Sequence, residues 1–100
     1  MAFVRAAKMA DLPPGTIRQI DLDEKTIALA NVDGKFYAIN NVCLHESGPL
    51  GDGDLSGSTV TCPWHGWEYD VMTGKLLNNP AEGVESYSVE VRGDDIFVDV

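Results

Sequence analysis

Cys43-Leu44-His45 and Cys62-Pro63-Trp64-His65-Gly66-Trp67 are the two segments around which this sequence is built. They use both cysteines and both histidines of the 100-residue chain, spaced as Cys-x-His and Cys-x-x-His, with residues 46–61 between the pairs. Thiolates and neutral imidazoles are soft or borderline ligands. A pair of them one or two residues apart lets a tight loop aim both at one metal centre. Cys43, His45, Cys62 and His65 are therefore the expected ligands.

Outward from these loops the chain reads as short strands. Thr26 to Val32 and Lys35 to Ile39 flank Asp33-Gly34, a hairpin signal because both turn residues tolerate positive φ. That hairpin runs directly into the first ligand loop. Phe3 to Ala7 and Thr16 to Leu22 are earlier strands, separated by Asp11-Leu12-Pro13-Pro14-Gly15. Gly48 to Gly57 holds four glycines and a proline, which argues against a helix. Thr59 to Thr61 delivers Cys62, and Trp67 to Val71 is the return strand, with a turn at Thr73-Gly74. Asn78-Asn79-Pro80 opens a further loop. Ser86 to Arg92, with Tyr87, Val89 and Val91 on one face, and the run through Ile96, Val98 and Val100 form a closing hairpin, each strand with one buried face. The expected fold is all-β: a small antiparallel β-sandwich or barrel, one domain over residues 1–100, with two metal-binding loops at one end.

Composition narrows the function. A formal net charge of -9 argues against nucleic acid and anionic membranes as partners. No segment approaches the roughly 20 apolar residues of a membrane span, and the first residues lack the apolar run of a signal peptide, so a cytoplasmic protein is expected. Between Lys35 and Lys75 there is no Lys or Arg, whereas Glu46, Asp52, Asp54, Glu68 and Asp70 all fall there. Partners are expected to dock through basic patches. Ligand counting alone leaves a structural Cys2His2 zinc site open.

Cys43-x-His45, Gly48-Pro49-Leu50-Gly51, Cys62-Pro63-Trp64-His65-Gly66, Tyr69-Asp70, Thr73-Gly74 and Pro80 together resemble a Rieske iron-sulfur protein. The resemblance implies one 2Fe-2S cluster, with Cys43 and Cys62 on one iron and His45 and His65 on the other. It implies a cluster environment of Trp64, Gly66, Trp67, Tyr69 and Pro80, with Pro80 on a third loop covering the cluster. Trp64 is read as an apolar lid and Trp67 as core packing. Respiratory and photosynthetic Rieske proteins carry a further cysteine pair at the positions of Gly48 and Trp64, and a serine at that of Trp67. Lacking both, and acidic around the site, this chain is expected at the low end of the Rieske range of about -150 to +300 mV, although Tyr69 acts in the opposite direction.

With no apolar anchor segment, no further cysteine pair and a small size, it resembles the soluble Rieske ferredoxins of ring-hydroxylating oxygenase systems. The similarity implies an electron carrier between a flavin-dependent ferredoxin reductase and a terminal oxygenase, not catalytic alone. A mononuclear iron would need further histidines, and both are committed. Gly51-x-Gly53 lacks a third glycine at Ser56, so no dinucleotide fingerprint is present. A small Rieske subunit of an assimilatory nitrite reductase is the alternative redox role, and a zinc-stabilised interaction module the alternative of another class.

Overall fold

The computed structural model describes residues 3–22, 24–44, 48–64 and 66–100. Its strands are β1 (Phe3–Lys8), β2 (Ile17–Leu22), β3 (Lys25–Val32), β4 (Lys35–Asn40), β5 (Asp54–Ser56), β6 (Thr59–Thr61), β7 (Glu68–Asp70), β8 (Lys75–Leu76), β9 (Asn79–Gly83), β10 (Ser86–Tyr87), β11 (Val89–Arg92) and β12 (Asp95–Asp99). All pair antiparallel, in three sheets of order β1-β12-β11, β10-β4-β3-β2 and β5-β6-β7-β8-β9. The all-β expectation holds.

β3 explains why the layers stack as they do. From Ile27 to Asn31 every residue is buried, which requires cover on both faces of the strand. Alternation then sorts the side chains into two cores. Ile27 and Leu29 join Leu12, Leu22, Ala38, Ile96 and Val98 on one side. Ala28 and Ala30 face Ile39, Leu50, Val60, Tyr69, Val71 and Leu76 on the other, and Cys43 and Cys62 belong to this second core. The small alanines leave room there for the tyrosine and for the loops that carry the thiols.

The β3-β4 hairpin turns where Asp33-Gly34 predicts it, with φ 52° and 92° at the two residues. Other segments depart from expectation. Ser86 to Arg92 is not one strand. Ser86 and Tyr87 pair with Ile39 and Ala38, while Val89 to Arg92 pair with β12, so the chain changes sheets at Ser88. Alternation cannot reveal such a switch, because both halves keep period two. The expected buried face also fails on this strand: Val91 is 43% exposed, since β11 is a sheet edge. Asn79-Pro80 enters β9 instead of opening a loop, and as a further edge strand β9 tolerates a proline that donates no hydrogen bond. Within Gly48 to Gly57 there is no α-helix but a 3-10 turn at Leu50–Asp52, followed by β5.

Tyr87 ties β10 to its surroundings. The Lys25 ammonium lies 5.1 Å from its ring centre, and its hydroxyl donates to Glu85 at 3.3 Å. Burial, then the Glu85 charge, pushes its pKa up. A folded-state pKa above the unfolded value of about 10 stabilises the fold below that pH, and the stabilisation is lost as pH rises through the folded value. The urea midpoint is therefore expected to fall above about pH 10, and Tyr87→Phe is expected to fall less steeply. Identical slopes for the two proteins would remove Tyr87 from the account.

Candidate metal centre

Asn41 fixes the entry to the first loop. It is buried, and its Oδ1 accepts the Gly51 N–H at 2.6 Å while its carbonyl accepts the Leu50 N–H at 2.7 Å. The two limbs are drawn together before Cys43 and after Gly48, and Val42 pairs with Pro49 between them. Gly51 must stay small, because a β-carbon there would stand 2.5 Å from the backbone nitrogen of Gln19 on β2. Cys43 then closes the loop, its N–H donating to the Gly48 carbonyl at 2.9 Å. In the second loop Cys62 does the same, donating to the Trp67 carbonyl at 2.7 Å.

These closures bring the two thiols into hydrogen-bonding contact, both buried and both free of any disulfide. Tyr69, on β7 and wholly buried, accepts the Leu44 N–H at 3.0 Å, which leaves its own proton free for Cys43 Sγ, 3.2 Å away. Burial first, then the bond to Cys43, keeps this phenol protonated far above its ordinary range. Burial likewise pushes the Cys62 thiol up. The backbone N–H of Trp64 opposes the shift, and the contact with Cys43 adds to it.

Paired buried sulfurs with donors aimed at them fit a sulfur-ligated iron centre, because both hydrogen bonds stabilise the thiolate form that iron requires. Cys43 and Cys62 would hold it, and a 2Fe-2S cluster supplies uptake and release of one electron there. His45 and His65 lie outside the described residues.

Of the other expected site residues, Trp67 packs against the core beside the thiols, as read. Trp64 is 48% exposed, so its cover is one-sided. Gly66 is exposed with φ 73°, and Pro80 is exposed on edge strand β9. Asp70, at the end of β7, shapes the turn that follows, its Oδ1 accepting the Met72 N–H at 2.9 Å. Asn41 was missed entirely. An Asn placed just before a Cys loop is its only sequence signal, and it is a weak one.

A family model for the Rieske [2Fe-2S] domain matches residues 2–88. The 3-phenylpropionate/cinnamic acid dioxygenase ferredoxin subunit of Escherichia coli (strain K12) is 41% identical over 102 aligned positions, spanning 100% of this chain and 95% of the relative. Among solved structures, the ferredoxin of carbazole 1,9a-dioxygenase from Nocardioides aromaticivorans IC177 superposes with a TM-score of 0.89 at 31% identity, over 98% of this chain and 97% of that one. A chain of the complex of reduced oxygenase and oxidized ferredoxin in carbazole 1,9a-dioxygenase matches with a TM-score of 0.87 at 30% identity, over 96% of this chain and 91% of that one.

Proposed function

The chain belongs to the Rieske [2Fe-2S] family, and from that membership we infer that it carries single electrons from a ferredoxin reductase to the terminal oxygenase of a ring-hydroxylating dioxygenase system. It is an electron carrier with one 2Fe-2S cluster and not an enzyme by itself. The zinc alternative is set aside by that membership. The observation that carries the site is the meeting of the buried Cys43 and Cys62 thiols, delivered by separate loops into one core. We take Cys43 and Cys62 as ligands of one iron and His45 and His65 as ligands of the other, with Trp64, Gly66, Trp67, Tyr69 and Pro80 around them. The whole of residues 1–100 is read as one domain, a reading supported by the two cores sharing β3.

Docking follows from the surface near the thiols. Val42, Leu44 and Trp64 are exposed beside the ligand positions, and among the described residues Asp52, Asp54 and Glu68 are exposed carboxylates in a stretch without Lys or Arg. The partner that complements this surface offers an apolar contact ringed by basic side chains, on the flavin-dependent reductase as on the oxygenase. Opposite charges speed encounter and are screened within about 8 Å at physiological salt. Free cysteines suit the cytoplasm, where thiols stay reduced, and among the described residues no helix is long and apolar enough to cross a membrane.

Iron and acid-labile sulfide analysis, with EPR before and after dithionite, tests the centre. Two irons and two sulfides per chain, with a signal that appears on reduction and shows nitrogen coupling, is the expected result. A reduced signal without nitrogen coupling would remove the histidines from the ligand set. The bimolecular rate of reduction by the reductase should also fall with ionic strength, and a flat dependence would remove the basic partner surface.

A further inference from the structure

Each thiol-bearing loop closes on itself, Cys43 through Gly48 and Cys62 through Trp67, and neither closure holds one loop to the other. On the buried side Tyr69 spans that gap, reaching Cys43 and Leu44 from the strand after the second loop. On the outer side the contact is made at Gly48. A β-carbon built there would lie 3.2 Å from both Cβ and Cγ of Trp64 and 2.6 Å from Cys62 Sγ. Gly48 is buried although it stands at the rim of the site, and what faces it is the base of the Trp64 side chain together with the Cys62 sulfur. The base of the Trp64 side chain thus lies against the end of the first loop, and the residue as a whole is 48% exposed. Its backbone N–H meanwhile bonds to the Cys62 sulfur, so one residue contacts the second thiol through its backbone and the first loop through its side chain.

We propose that Trp64 is a positioning residue, a non-covalent strap seated on the bare Gly48 backbone that holds the two ligand loops together and keeps iron from escaping between them. The proposal rests on the reading of Cys43 and Cys62 as iron ligands. Gly48 is needed because any side chain there would lift the indole and displace the Cys62 sulfur. A tryptophan that served only as a contact for partners would have no need of a glycine beneath it.

The test uses the iron-loaded protein and follows loss of visible absorbance to an excess of chelator. Release from Trp64→Ala is expected about tenfold faster than from the unaltered protein, the effect of losing roughly half an indole's contact area. Trp64→Phe, which restores an aromatic ring on Gly48, is expected to return most of the slower rate. Gly48→Ala is expected to hasten release as well and to shift the EPR signal of the reduced protein, because the Cys62 sulfur must move. Equal release rates for Trp64→Ala and the unaltered protein would overturn the strap, including the case in which Trp64→Ala slows only electron transfer with partners. Iron and sulfide in the unaltered protein are measured first. Their absence would remove the ligand reading and the strap with it, whereas their presence with equal release rates removes the strap alone.

Discussion

Cys62→Ala and Cys43→Ala are both expected to yield colourless protein with less than about a tenth of the iron of the unaltered chain, because no other thiol exists to replace either one. The two losses should differ in what they do to the fold. Both sulfurs are buried in the same core, so each substitution removes similar packing. Each also accepts one hydrogen bond, but Cys43 takes the hydroxyl of wholly buried Tyr69, at 3.2 Å, whereas Cys62 takes the backbone N–H of Trp64, a residue 48% exposed. An orphaned buried donor costs about 1–3 kcal/mol. With iron stripped from all three proteins, Cys43→Ala should therefore unfold at lower urea than Cys62→Ala. Iron analysis and urea titration of the stripped forms check both halves. Wild-type iron in either variant would sink the ligand reading, and equal midpoints would sink the role given to Tyr69. Loading should also respond to pH in a defined direction. Burial raises the Cys62 thiol above its ordinary range, and iron must displace that proton, so reconstitution of the stripped chain improves as pH rises toward the thiol range.

The second large effect lies away from the thiols. Gly74→Ala is expected to destabilise the protein by roughly 2–5 kcal/mol, a large share of the stability of a domain this size. Two costs combine at this position. Gly74 has φ 81°, where a side chain costs about 1–2 kcal/mol. It is also buried in the approach of β8 to β9, where its N–H donates to Asp70 and its carbonyl accepts the Val84 N–H at 2.8 Å. An added β-carbon would run into the Val84 carbonyl oxygen, an overlap worth about 1–3 kcal/mol more. Gly57 separates the two costs. It too has positive φ, 60°, but nothing lies within 4 Å of its missing β-carbon. Gly57→Ala should show the backbone cost alone. Denaturant midpoints for both variants decide the matter, and equal losses would mean that the close approach of β8 to β9 carries no weight. Because Pro80 lies on β9, Gly74→Ala should also disturb the segment read as covering the cluster.

What positions the two thiols is therefore spread through the core. Ala28 and Ala30 give space, Asn41 gathers the limbs of the first loop, Tyr69 ties the loops from below, and Gly74 seats the segment that carries Pro80.

Much of this was legible in the order of residues because it is local. Cys-x-His and Cys-x-x-His are fixed by chain spacing, and the Asp33-Gly34 turn by backbone sterics. With Thr73-Gly74 and Pro80 in register, these residues carried the family, the cofactor and the all-β class. The remainder depended on residues distant in sequence meeting in space. The change of sheet at Ser88 preserves the alternation of a single strand, so it becomes visible only once β4 and β12 both compete for partners. Pro80 signals a break, yet an edge strand accepts it because its missing N–H is not needed there. Asn41 is one asparagine among several until Leu50 and Gly51 fold back onto it. The fit of Trp64 on Gly48 exists only when the two loops face each other. Sequence alone determined the family and its cofactor; tertiary structure decided how the two buried thiols are held, because packing and buried hydrogen bonds join groups that the chain itself keeps far apart.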